Sequence, residues 1–251
     1  MIEEVVTFKL QHVLVVLAIL LVMHVTPCAC TENAKDQWMF QSEEKWDSQW
    51  RAGQWAYMDT VAIERAKVSV VGVLAQIYAA NMTTSVSTGQ GSVLDIGCGE
   101  GSLADFLSAE QQPGYVGVDL SREAILSAKR KRPNMKFVHS AAHKFHPKGS
   151  KTFNVISFAD MLYYVDHKSV LEQYNSYLSP GGIVIISMFF QQKGKLLYEN
   201  IWNDARKTFQ KIDEMELAGS TKKQAHGKAV VETATAFHIE VYRKREGGEP
   251  S

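Results

Sequence analysis

A chain of 251 residues, 45% apolar and 22% charged, has ordinary globular composition and room for one sizeable domain. Lysine plus arginine, 27, balances aspartate plus glutamate, 27, which argues against a nucleic-acid binder that works through bulk positive charge. The 3 cysteines cannot build a disulfide framework.

The first element in chain order is apolar. Val13 to Val25 reads VLVVLAILLVMHV, the length of a signal-peptide core, and a helix starting at Val5 would approach spanning length. Cys28-Ala29-Cys30 supplies small residues for cleavage, but Glu3-Glu4 is unusual in a flank that is normally positive. Residues 1–30 are set apart as a signal, an anchor or an appended extension, with residues 5–27 as the membrane-associating stretch. Residues 31–45 read as a polar linker, 46–244 as the functional domain and 245–251 as a disordered tail.

Trp46, Trp50, Trp55 and Tyr57 form an aromatic lead-in. It is either a lid, with Tyr57 reaching inward toward a substrate, or a helix packed on a sheet edge. Ile63, Ala66, Val70, Val73, Leu74 and Ile77 recur near the helical period and predict a helix over Val61 to Ala80. Asn81 to Gly91 is a Ser/Thr/Gly-rich loop holding the glycosylation sequon Asn81-Met82-Thr83.

Five short apolar runs follow, at Val93–Ile96, Tyr115–Asp119, Met135–Val138, Phe153–Phe158 and Ile183–Met188. Helical patterns near Leu103–Ser108, Arg122–Lys131 and Lys168–Leu178 separate them. This alternation predicts a parallel sheet with helices on both faces. Beyond it, Leu196–Phe209 reads as a helix. Ile212, Met215 and Leu217 suggest one strand and Phe237, Ile239 and Val241 another, with Gly219 to Thr235 a long polar connection.

The chemistry concentrates in Val93-Leu94-Asp95-Ile96-Gly97-Cys98-Gly99-Glu100-Gly101-Ser102-Leu103. Asp95 sits near the end of an apolar strand, three alternating glycines follow, and a helical pattern begins. Glycines let the backbone turn sharply and approach a ligand closely. Asp119 ends the second strand, where a carboxylate accepts hydrogen bonds from a ribose diol. The spacing G-x-G-x-G, with an acid two positions before the first glycine, differs from the dinucleotide fingerprint G-x-G-x-x-G.

With these motifs the sequence resembles the class I S-adenosylmethionine-dependent methyltransferases over roughly Trp46 to Arg243. Val118-Asp119-Leu120-Ser121 and Leu178-Ser179-Pro180-Gly181-Gly182 fit the same pattern. The resemblance implies a Rossmann-like, doubly wound α/β fold with a seven-stranded, mostly parallel sheet and an antiparallel last strand. It implies S-adenosylmethionine as cofactor, with Asp95, Gly97, Cys98, Gly99 and Gly101 along its methionine part. Asp119 would hold the ribose, Leu120 would flank the adenine, Ser140 and Ala141 would meet the adenine edge, and Ala159 would face the sulfonium. At Ser140 the sequence departs from the family, which often has aspartate there.

Acceptor chemistry belongs after the fourth strand, outside the carboxyl ends of the sheet. Asp160 and Tyr163 are the catalytic candidates, Tyr57 and Tyr164 the substrate-facing ones, and Asp166 reads as a helix cap. His139, His143 and His146 have helical spacing but straddle a loop, so no metal site is expected. The segment Ala159-Asp160-Met161-Leu162 lacks the Asp/Asn-Pro-Pro-aromatic pattern of base-amino methyltransferases. The expected activity is methyl transfer to an oxygen or nitrogen atom of a small molecule, with no nucleic-acid partner. The alternative is a catalytically silent cofactor-binding protein. Because the cofactor is kept mainly in the cytosol, a cytosol-facing domain is expected rather than a secreted one.

Overall fold

The computed structural model describes residues 41–80, 91–149, 151–189, 195–223 and 231–245. Residues 1–30, most of the expected linker, the Asn81 sequon and the tail after Arg245 lie outside the described residues. So do residues 5–27, the membrane-associating stretch. Among the described residues no helix is long and apolar enough to cross a membrane.

The chain begins with helices α1 (Glu43–Arg51), α2 (Tyr57–Thr60) and α3 (Ala62–Ala80). Helix α1 starts inside the expected linker because Ser42 caps it, its side chain accepting from the Lys45 N–H, with Glu43 and Glu44 in the first turn. Strands β1 (Val93–Ile96) and β2 (Val116–Asp119) follow, then α4 (Arg122–Lys131), β3 (Lys136–His139) and β4 (Phe153–Ala159). Helix α5 (His167–Asn175), β5 (Leu178–Phe189), α6 (Lys195–Thr208), β6 (Phe209–Lys223) and β7 (Val231–Lys244) complete it.

The seven strands form one sheet in the order β3-β2-β1-β4-β5-β7-β6. The first five strands pair in parallel, and β7 lies antiparallel between β5 and β6. The expected doubly wound sheet with an antiparallel last strand is the one observed. Residues of β1 and β4 alternate between the two faces. Leu94, Ile96, Ile156 and Phe158 pack with Val170, Leu171 and Tyr174 of α5 and Ile201 of α6. Val93 and Val155 pack on the other face with Val71, Leu74 and Ala75 of α3 and Ile125 and Ala128 of α4. Burying each such aliphatic side chain stabilises the fold by about 1.5–3 kcal/mol.

Two expectations need correction. Leu103–Ser108 is not an α-helix: Ser102–Phe106 is a short 3-10 turn, and Leu107 returns to extended backbone. The stretch from Gly219 to Thr235 is not a long connection. Strand β6 runs to Lys223 and β7 starts at Val231, paired from Phe209↔Lys244 to Lys223↔Val231, so they form a hairpin.

Candidate active site

The site is built where β1 and β4 end. Both strands are central, so their carboxyl ends open side by side, with Asp95 paired to Ser157 and Ile96 to Phe158. The Gly97 and Cys98 N–H groups both donate to the Val118 carbonyl, at 2.8 and 3.0 Å, which turns the chain sharply out of β1. Gly97, Gly99 and Gly101 all have positive φ. At Gly101 (φ +81) a Cβ would lie 2.4 Å from a Phe137 ring carbon. Gly101→Ala is therefore expected to lose about 3 kcal/mol, combining left-handed strain with overpacking. Urea denaturation checks this; a loss under 1 kcal/mol would show that Phe137 yields freely.

Asp95 is 3% exposed and accepts a hydrogen bond from the Tyr115 hydroxyl at 2.9 Å. Burial pushes its carboxyl up to about 7, against the downward pull of the Tyr115 hydrogen bond. Asp119 accepts from the Gly99 N–H at 2.9 Å and from the Ser121 N–H at 2.8 Å, one bond on each oxygen. Burial raises it too, offset in part by those backbone bonds. Burial also raises the Cys98 thiol well above its ordinary range, with Asp119 and Asp95 adding to the effect, so this thiol is no nucleophile.

The lead-in lies across the loop. Trp50 ring atoms would be 3.2 Å from a Cβ at Gly99. Asp47 accepts from the Ser121 hydroxyl at 2.6 Å and the Glu123 N–H at 3.2 Å. Asp59 accepts from the Ser102 hydroxyl and from Lys131 Nζ, the latter at 2.9 Å. Beneath this cover is a cavity of about 580 Å³, its open mouth included, lined by Trp50, Trp55, Asp59, Lys67, Asp95, Gly97, Cys98, Glu100, Ser157 and Ala159. Trp50 lies over the glycine loop, while Tyr57, expected to reach inward, is exposed and is not among the residues lining the cavity.

The predicted residues fall into three groups. Asp95, Gly97, Cys98 and Ala159 line the cavity; Gly99 lies under Trp50 and Asp119 is bonded to Gly99. Leu120, Ser140 and Ala141 lie farther along, at the ends of β2 and β3. There the Leu120 carbonyl contacts His139 Nε2 at 2.9 Å, and the Ser140 hydroxyl donates to the Ala141 carbonyl at 3.1 Å. Asp160, Tyr57, Tyr163 and Tyr164 cluster beside the β4 end.

Asp160 is engaged on both oxygens. One accepts from the Phe189 N–H at 2.6 Å and the other from Lys67 Nζ. Among the described residues it is the only non-glycine with positive φ, +52. Burial first, then the Asp160 charge, pushes the Tyr163 hydroxyl well above its ordinary range, so Tyr163 keeps its proton at neutral pH.

Sequence reasoning passed over Lys67. It is 2% exposed and joins Asp160 and Glu64, the latter at 3.0 Å. Burial works against its charge, but the two carboxylates outweigh it and hold the ammonium above its ordinary range. Asp166 caps α5, accepting from the Ser169 N–H and hydroxyl at 3.4 and 2.6 Å. The three histidines do not share a face: His139 meets Glu43 at 3.0 Å, and His146 meets the Tyr177 hydroxyl at 2.7 Å.

The implied cofactor fits these residues. S-adenosylmethionine carries two cationic centres and one carboxylate, and Asp59, Asp95 and Glu100 all line the cavity. Each Asp119 oxygen takes only one backbone bond, so a carboxylate with about four lone-pair sites keeps capacity for a diol.

Comparison with known proteins bears on the family and the fold. A family model described as a methyltransferase domain matches residues 74–223. Ubiquinone biosynthesis O-methyltransferase of Aliivibrio fischeri is 33% identical over 100 residues, 38% of this chain and 42% of the relative. Trans-aconitate 2-methyltransferase of an Azoarcus species is 31% identical over 98 residues, 39% of this chain and 38% of the relative. The alignments thus span about two-fifths of these curated relatives. Among solved structures, the N-methyltransferase NodS of Bradyrhizobium japonicum, in complex with S-adenosyl-L-homocysteine, superposes with a TM-score of 0.54 at 14% identity. The match covers 85% of this chain and 98% of that one. The plantazolicin methyltransferase BpumL gives a TM-score of 0.52 at 18% identity, covering 81% and 96%.

Proposed function

This chain belongs to the class I S-adenosylmethionine-dependent methyltransferases, and from that premise we propose that it methylates an oxygen or nitrogen atom of a small molecule. The observation that carries the proposal is the covered cavity at the β1 and β4 ends, with Asp95 and the glycine turn in its wall. When bound, S-adenosylmethionine supplies an electrophilic methyl group on a sulfonium that needs no acid to leave. The protein's share is position and exclusion of water. Asp119 takes the ribose diol, and the turn from Gly97 to Gly101 lets the backbone close on the methionine part. Trp50 and Trp55 keep bulk water out. Leu120, Ser140 and Ala141 bound the adenine end. Balanced charge supports a small-molecule acceptor over nucleic acid. We keep residues 5–27 as a proposed membrane-associating stretch that leaves the domain facing the cytosol.

Calorimetry of S-adenosylhomocysteine binding to the full chain tests the cofactor reading, and absence of heat would overturn it. Transfer of a tritiated methyl group to metabolite fractions tests turnover; binding without transfer to any fraction favours the catalytically silent alternative. Asp119→Ala is expected to weaken cofactor affinity about tenfold or more, because a diol in a covered site loses its charged acceptor. Unchanged affinity would place the ribose elsewhere.

A further inference from the structure

Behind two residues that line the cavity, Lys67 and Trp55, charge is combined with aromatic rings. Lys67 lines the cavity, and its Nζ is shared between Glu64 and Asp160 and sits 4.4 Å from the centre of the Phe237 ring. Two carboxylates facing one ammonium leave a net negative charge. Rings from separate elements adjoin it. Trp46 meets Tyr164 at 4.9 Å, Tyr163 meets Tyr164 at 4.5 Å and Tyr198 of α6 at 6.0 Å, and Trp55 meets Tyr57 at 6.0 Å. Tyr57, 41% exposed, marks the solvent side. Burial, then the Glu64 and Asp160 charges, pushes its hydroxyl up to about 12. Tyr57 therefore offers a neutral hydroxyl and a ring face, as Tyr163 does.

An anionic acceptor gains little here, because the Lys67 ammonium is already paired twice. A cation gains from both the excess carboxylate charge and the aromatic faces. We infer that the acceptor subsite beside Lys67, Glu64 and the Tyr57–Tyr164 rings selects an amine, entering as its ammonium form on a flat apolar body. This rests on the methyl-transfer reading and narrows it to nitrogen: the bound ammonium loses one proton to solvent at the cavity mouth, and the freed lone pair takes the methyl group as the methyl–sulfur bond breaks, leaving S-adenosylhomocysteine.

The test uses three probes of one shape: phenethylamine, 2-phenylethanol and 3-phenylpropanoate. Each is titrated at pH 7 into the full chain saturated with S-adenosylhomocysteine, followed by calorimetry and tryptophan fluorescence. Phenethylamine is expected to bind about tenfold or more tighter than the alcohol or the acid. Glu64→Gln is expected to cut amine affinity about tenfold while leaving alcohol and S-adenosylhomocysteine binding unchanged; Glu64→Asp restores part of it. The inference is overturned if the acid or alcohol binds as tightly as the amine. It is equally overturned if Glu64→Gln weakens amine and alcohol alike, or if no probe binds the saturated protein. Those failures leave the cofactor reading standing, whereas failure of S-adenosylhomocysteine itself to bind removes both.

Discussion

Asp95→Asn is expected to make the free protein more stable at pH 7 while making it a poorer host for its cofactor. The Asp95 carboxyl is raised from 3.8 to about 7 by burial, so folding favours its protonated form. Its contribution to stability is complete below pH 4 and is lost as pH rises through 7. Asparagine keeps the shape and can still accept from Tyr115, but has no proton to lose. The gain at pH 7 and above is on the order of 2–4 kcal/mol, visible as a higher melting temperature that no longer falls between pH 5 and 8. A cation in the cavity reverses the preference by favouring the carboxylate. Wild-type cofactor binding should therefore release a proton near pH 6, seen as a binding heat that depends on the buffer's ionisation enthalpy. Asp95→Asn should lose both that release and about tenfold or more in affinity. A variant with wild-type stability and wild-type proton release would show that Asp95 stays ionised in the free protein.

Lys67→Met should be the more damaging change. It removes the ammonium shared by Glu64 and Asp160, whose side chains are only 13% and 15% exposed. Truncating one partner of a buried ion pair leaves the remaining charge uncompensated, at a cost of about 3–5 kcal/mol. The affected carboxylate also holds Asp160 in its left-handed conformation through the Phe189 N–H. Adding Asp160→Asn should recover a measurable part of the loss. Asparagine tolerates positive φ, keeps an acceptor for Phe189 and carries no charge. Urea titrations of the single and double variants give the coupling directly. A loss under 1 kcal/mol for Lys67→Met, or no recovery in the double variant, would mean that water already screens the pair.

The parts of the fold that depend on local pattern were legible in the sequence. Strands β1, β2 and β4 are buried on both faces, so each reads as an apolar run. Helix α4 matches its expected span because Ser121 caps it, Lys129 to Lys131 close it, and Ala124, Ile125 and Ala128 form its buried face. The hairpin was not legible. Much of β6 is partly or fully exposed, so its polar residues from Gly219 onward look like a loop. The turn at Ser102–Phe106 is too short to separate from a helix start. The glycine loop was readable because its glycines are demanded by backbone geometry. Lys67 was not, since a lysine within an apolar helical pattern reads as part of the solvated face, and its partner Asp160 lies 93 positions away. Nothing local announces positive φ at Asp160.

The cover over the cavity also sets an order of assembly. Asp47 meets Ser121 and Glu123 across 74 and 76 positions, and Asp59 meets Lys131 across 72. The closing segment therefore leaves the ribosome well before the surface it closes upon. Until α4 emerges, α1 has only its Ser42 cap, its charged ends and its own turns, and an isolated helix of 9 residues is marginal in water. Long loops must close before those contacts form, so the cover docks late on a sheet that supplies its partners. By the same physics it opens at lower free energy than the central strands. Among the described residues, amide exchange should accordingly be faster in α1 and α2 than in β1 and β4, so that the cover of the cavity opens before the sheet beneath it.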